Sequence, residues 1–124
     1  MAERIRLVRA SDLEVGPATP GMARSQAQVT DDVSVLHVRT EGGVTSGWHH
    51  HGDHTTYGFV VAGKLRFEFG VGGSESVEAV PGEFFMVPPQ TIHRESNPSV
   101  EQQILMGLRI GSGPTVVNVD GPVG

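Results

Sequence analysis

Short apolar and β-branched runs of four to eight residues, separated by turn-forming residues, recur along this chain of 124 residues. Apolar residues at helical spacing over a dozen positions are missing, so the pattern predicts an all-β protein. Strands are expected at Ile5–Val8, Val33–Arg39, Tyr57–Val61, Lys64–Phe69, Ser76–Val80, Phe84–Val87, Gln103–Ile110 and Thr115–Val119. The clearest alternation places Leu65, Phe67 and Phe69 on one face and Lys64, Arg66 and Glu68 on the other, because successive strand side chains point to opposite sides. Ala62-Gly63 reads as a hairpin turn, and Gly70–Ser74 as a flexible hairpin loop. Pro81-Gly82 and Pro88-Pro89 mark further turns. The stretch from Leu13 to Gln28, with Gly16-Pro17 and Pro20-Gly21, is the least regular, and is expected to wrap the core or reach a partner subunit. Many short strands at this spacing imply a sandwich or a closed barrel.

The length suits one domain with one core, residues 1–124. The 17 glycines and 8 prolines stay below the level of disordered low-complexity chains and are spread as turn punctuation. A formal charge of −5 with no cluster of basic residues argues against nucleic-acid binding. No apolar stretch has the length to span a bilayer, which argues against a membrane partner. Met1–Leu7 lacks the apolar core of a secretion signal, so a cytoplasmic location is expected. The absence of cysteine excludes disulfides, thiolate ligands and a cysteine nucleophile.

Four of the six histidines, His49, His50, His51 and His54, lie within six residues, and His93 follows some forty positions later. Neutral imidazole is the commonest metal ligand among side chains. On a strand, His49 and His51 share one face while His50 points to the other. A close pair on one strand and a third ligand on another is how a β fold assembles a metal site. The alternative is a set of ordinary surface or core histidines. An expression tag is normally terminal and uniform, and this tract is neither. His50 reads as a packing or surface residue and His37 as structural.

The spacing around these histidines resembles the cupin superfamily of jelly-roll β-barrels. Its first motif reads G-x5-H-x-H-x(3 or 4)-E-x6-G, matched here by Gly43, His49, His51 and Gly63, with Thr56 in the glutamate place. Its second reads G-x5-P-x-G-x2-H-x3-N, matched by Gly82, Pro88, His93 and Asn97, with Gln90 in place of glycine. The resemblance implies a cupin-type jelly-roll β-barrel with His49, His51 and His93 as ligands of one divalent transition metal (Fe, Mn, Ni or Zn). His54 is a further candidate ligand; otherwise it is a loop residue that stabilises a turn through Asp53.

Losing the glutamate has chemical consequences. Three imidazoles alone leave a divalent site near +2 instead of +1, a stronger Lewis acid and more hospitable to an anionic ligand. If residue 56 faces the metal, Gly58 and Val60 share its face, and Gly58 leaves space above the metal. Tyr57, Phe59 and Val61 then point to the other side, toward another sheet or a second subunit; Phe59 and Val61 read as ordinary core, and Tyr57 either as a dimer contact or as a hydroxyl in the pocket. Arg39, Arg66, Arg94, Arg109 and Gln103 are the candidates for gripping a substrate. Trp48 could line the mouth or fill the core. Glu83 and Glu95 read as solvent-exposed. The expectation is a homodimeric, metal-dependent enzyme acting on a small oxygen-containing organic molecule, dioxygenase chemistry leading. Isomerase or lyase chemistry, or non-catalytic binding of a small ligand, are the rivals. Catalytic residues are not assigned.

Overall fold

Every backbone N–H and C=O buried in a β protein needs a partner on a neighbouring strand, so strand order decides which side chains meet. The structure, a computed structural model, describes residues 4–16 and 19–123. Among the described residues eleven strands form: β1 (Glu14–Val15), β2 (Met22–Thr30), β3 (Val33–Thr40), β4 (His49–His50), β5 (Thr55–Ala62), β6 (Leu65–Phe69), β7 (Glu75–Ala79), β8 (Phe84–Val87), β9 (His93–Ser96), β10 (Gln103–Ile110) and β11 (Val117–Asn118). They make one sheet of order β1-β2-β3-β10-β5-β8 and a second of order β11-β4-β9-β6-β7. Two single-turn 3₁₀ helices, at Ala10–Asp12 and Val71–Gly73, are the helical elements among the described residues. None of the helices is long and apolar enough to cross a membrane.

The core lies between the sheets. Val60 of β5, Val87 of β8 and Leu105 of β10 meet Leu65 and Phe67 of β6, with Val38, Phe69, Ala79 and Phe85 packed around them. Val60 and Leu65 are fully buried, each worth about 1.5–3 kcal/mol relative to exposure. The alternation expected for Lys64–Phe69 holds: Glu68 pairs with Arg94 on the outer surface while Phe67 faces the core.

Several expectations need correction. Ile5–Val8 is not a strand; Ile5 and Leu7 are exposed and belong to neither sheet. The stretch Leu13–Gln28 is far from irregular, because it contains β1 and most of β2, and β2 pairs with β3 along nearly its whole length. Pro17 lies outside the described residues. Ala62-Gly63 is not a hairpin, since β5 and β6 belong to different sheets. It is the corner where the chain crosses between them. Gly63 has φ +78° there, and a Cβ would sit 2.8 Å from the Gln102 carbonyl oxygen, which explains the glycine. The Gly70–Ser74 loop does close a hairpin, between β6 and β7.

Gln90 supplies a related finding. It stands in the motif's glycine place yet keeps a positive φ of 59°, the one such non-glycine value among the described residues. Its N–H donates to the Gly52 carbonyl at 2.9 Å, and its side-chain amide donates to Asp53 at 2.7 Å. Those bonds tie the two histidine-bearing loops together and offset the strain.

Candidate metal centre

The two histidine motifs converge because β4 and β9 are neighbours: His49 and His93 are direct cross-strand partners. His51 follows β4 by one residue, and all three imidazoles are buried. Their ligand atoms lie within 4.8 Å of one another, and the ring centroids are 4.5 to 5.1 Å apart.

Each ring is held by its far nitrogen. His49 Nδ1 donates to the Gly47 carbonyl, His93 Nδ1 to the Thr91 carbonyl and His51 Nδ1 to the Thr115 carbonyl, all at 2.8 Å. A carbonyl only accepts, so Nδ1 carries the proton and Nε2 keeps its lone pair. This is how metal-binding histidines are fixed in tautomer and orientation. His93 Nε2 is buried with no hydrogen-bond partner. Such an orphan costs about 1–3 kcal/mol unless something fills the place. A cation held by the three Nε2 atoms would do so, and the donor set fits a divalent transition metal.

Burial and nearby positive charge favour the neutral form of His51 and His93. Burial, aided by the charge of Arg109, pushes His51 down to about 2. Burial also lowers His93, with His49 and Arg109 adding to it against the Thr91 hydrogen bond and Glu95.

The centre opens into a cavity of about 140 Å³ between the sheets. Thr56, Phe85, Val87 and Leu105 line it with the three histidines, and so do Arg24, Glu95 and Arg109. Thr56 faces inward, as do Gly58 and Val60 of the same strand, and all three are buried. The space above Gly58 is not open, however. Gly58 pairs with Phe85, and a Cβ on it would fall 2.0 Å from the ring of Phe85.

Of the four arginines singled out in the sequence, only Arg109 reaches the cavity. It is buried, directly opposite Thr56 across the β5–β10 ladder. Its Nε lies 3.5 Å from Thr56 Oγ1. Burial pushes it below its ordinary value, with Glu95 opposing, though a guanidinium stays charged. Arg39 is exposed. Arg66 lies 3.7 Å from Glu78, and Arg94 makes a two-pronged pair with Glu68 while lying over Trp48, 4.6 Å from the ring centroid. Gln103 is buried and donates to the Lys64 and Ser96 carbonyls. Trp48 is half-buried and is not among the cavity walls.

His54 does not join the group. It is buried in the turn after His51, its Nδ1 donating to the His51 carbonyl at 3.0 Å. It is thus a turn residue, but it holds the turn through the His51 carbonyl and not through Asp53, whose carboxylate accepts from the Gln90 amide. His50 Nδ1 accepts the Gly52 N–H. Glu83 is exposed, as expected.

Glu95 corrects the reading that called it solvent-exposed. It lines the cavity, half-buried, 4.0 Å from Arg24. The signal was available, since Glu95 lies two residues after His93 on β9 and shares its face. Arg24 was missed because β2 was missed. The Thr115 carbonyl that positions His51 comes from 64 residues away and carries no local signal.

A family model described as the cupin domain matches residues 36–106. This chain belongs to the cupin family, and its two facing antiparallel sheets are the jelly-roll barrel of that family. Among solved structures, KdgF from Halomonas sp. is 22% identical over 85% of this chain and 94% of its own, with a TM-score of 0.68. A conserved protein with a double-stranded β-helix domain from Klebsiella pneumoniae is 17% identical over 94% of this chain and 98% of its own, TM-score 0.72. Oxalate decarboxylase from Bacillus subtilis, a protein with Mn(II) centres, is 18% identical over 82% of this chain, TM-score 0.71. This chain spans only 29% of that enzyme's length. These likenesses establish the fold. No curated protein sequence matches.

Proposed function

We propose that His49, His51 and His93 bind one divalent transition metal through Nε2, and that the protein is a metal-dependent enzyme acting on a small oxygen-containing organic molecule. The observation that carries this reading is the buried, unpartnered Nε2 of His93, clustered with the imidazoles of His49 and His51. When bound, iron, manganese, nickel or zinc would supply Lewis acidity, and the redox-active ions would also supply oxygen chemistry. The chain's own residues do the rest. The carbonyls of Gly47, Thr91 and Thr115 keep the rings aligned. Phe67, Phe85, Val87 and Leu105 limit water in a cavity well below the size of drug-binding pockets.

Oxygen-dependent cleavage is the favoured reaction, because a site with only neutral nitrogen donors leaves positions open for both reactants. Glu95 favours a second reading, redox-neutral lyase or isomerase chemistry, in which its carboxylate takes and returns a proton. The test is elemental analysis of protein made without an affinity tag, followed by oxygen uptake with small hydroxy and keto compounds. Metal at one equivalent, lost in His93→Ala, with substrate-dependent oxygen uptake is the expected result. Turnover without oxygen uptake would move the assignment to the second reading. Binding without turnover would leave a non-catalytic ligand-binding cupin, and protein that takes up no divalent metal would overturn the proposal.

We further propose a homodimer formed on the outer face of the six-stranded sheet. Leu108, Tyr57 and Met86 lie side by side across β10, β5 and β8, and Met106, Phe59 and Phe84 form the next row. Phe84 is 80% and Met86 54% exposed, an apolar surface of the kind that marks association sites. Sedimentation should give a dimer at micromolar concentration that Leu108→Asp dissociates; a wild-type monomer would refute it.

A further inference from the structure

Thr56 and Arg109 carry one observation further. Resting on the metal reading above, we propose that the substrate is a small carboxylate whose acid group bridges the three-histidine centre and the Arg109 guanidinium, supplying the oxygen donor that residue 56 lacks. A carboxylate side chain at position 56 would meet Arg109 directly, because the two residues are cross-strand partners on the inner face. Threonine leaves that guanidinium buried, 8% exposed, with a single long contact to a hydroxyl. Glu95 is the nearby acid, and it stands against Arg24 at 4.0 Å. The cavity therefore combines a cation in one wall, Arg109, with a cluster that would hold another.

A buried guanidinium needs acceptors for its N–H groups, and a carboxylate matches its fork with two oxygens. The cavity is only about 140 Å³. This favours short acids over long-chain ones. Arg109 lines the same cavity as His49, His51 and His93, which puts its charge in the wall around the centre.

Calorimetry on the full chain tests this with glycolate, pyruvate and malonate, against neutral methyl pyruvate and inorganic phosphate. Zinc affinity is measured in parallel for every variant, and circular dichroism checks the fold. Zinc-loaded wild type should bind at least one of the three acids, and bind methyl pyruvate and phosphate far more weakly. Arg109→Gln should lose about tenfold to a hundredfold in acid affinity while keeping zinc, as expected for one charged hydrogen-bonded pair. Thr56→Glu should also lose acid affinity, its own carboxylate taking the place, with zinc affinity equal or higher. If Arg109→Gln does not fold, Thr56→Glu alone carries the comparison. Zinc bound normally but no acid affinity, equal affinity for phosphate or the ester, or acid affinity unchanged in the variants would overturn this inference and leave the metal site standing. Failure of wild type to bind zinc or any other divalent metal would overturn both.

Discussion

Acidifying the metal-free protein should destabilise it through His51. In the folded chain, burial and the charge of Arg109 hold this imidazole at about 2, against 6.5 for the free side chain. Between those values the unfolded chain binds a proton that the folded chain excludes. The stability that comes from a neutral His51 is therefore complete above about pH 6.5 and is lost as the pH falls below it. Each unit in that window costs about 1.4 kcal/mol, so reaching about pH 4.5 removes about 3 kcal/mol. A domain of this kind has only about 5–15 kcal/mol in total. His93, lowered mainly by burial, acts in the same direction. Glu68, held below the usual carboxylate range by its hydrogen bonds from Arg94, contributes mainly at the acid end of the window or beyond it. Urea unfolding followed by Trp48 fluorescence, in chelator, at a series of pH values gives the slope by linear extrapolation. Wild type should lose at least about 1.4 kcal/mol per unit below pH 6.5, and His51→Asn about one proton's worth less. Stability that stays flat across the window, or an unchanged slope in His51→Asn, would refute the reasoning. The sequence alone sets the onset of proton competition for a bound metal near pH 6; the folded environment moves it lower at His51 and His93.

Two further outcomes follow from single residues. Gly58→Ala would place a methyl 2.0 Å from the Phe85 ring; overpacking should cost about 1–3 kcal/mol, and adding Phe85→Leu should recover much of it in thermal melts. At position 90, Gln90→Ala keeps a positive φ that costs about 1–2 kcal/mol and loses the side-chain bond to Asp53. It should therefore be less stable than both wild type and Gln90→Gly, which should lie within about 1 kcal/mol of each other because relieved strain offsets the lost bond. An alanine variant as stable as the glycine variant would show that backbone strain is not what this loop balances.

Much of this fold was legible because side-chain alternation is a local property. β8 and β10 match their expected bounds residue for residue, each being an apolar run between clear turn signals. The inward set Thr56, Gly58 and Val60, and the outward set Tyr57, Phe59 and Val61, also follow from period two alone. β2 was not legible. Met22–Thr30 is polar and half-buried, and it is a strand because β3 offers it a partner along its length. Gly63 reads as a hairpin in any local view, and only the sheet order makes it a corner.

The site divides along the same line. By itself the sequence determined that His49 and His51 share a face, that His93 follows in a second motif, and that residue 56 has no carboxylate. Tertiary structure alone decided that β4 lies beside β9, that Thr115 locks His51 from across the chain, and that Arg109 faces Thr56. Arg39, Arg66, Arg94 and Arg109 are equivalent strand arginines in sequence. Glu68 and Glu78 claim two of them at the surface, solvent a third, and the cavity the fourth. The reason is physical: a residue's face is set by its own backbone, whereas its neighbours are set by non-local hydrogen bonding and by which apolar faces pack together.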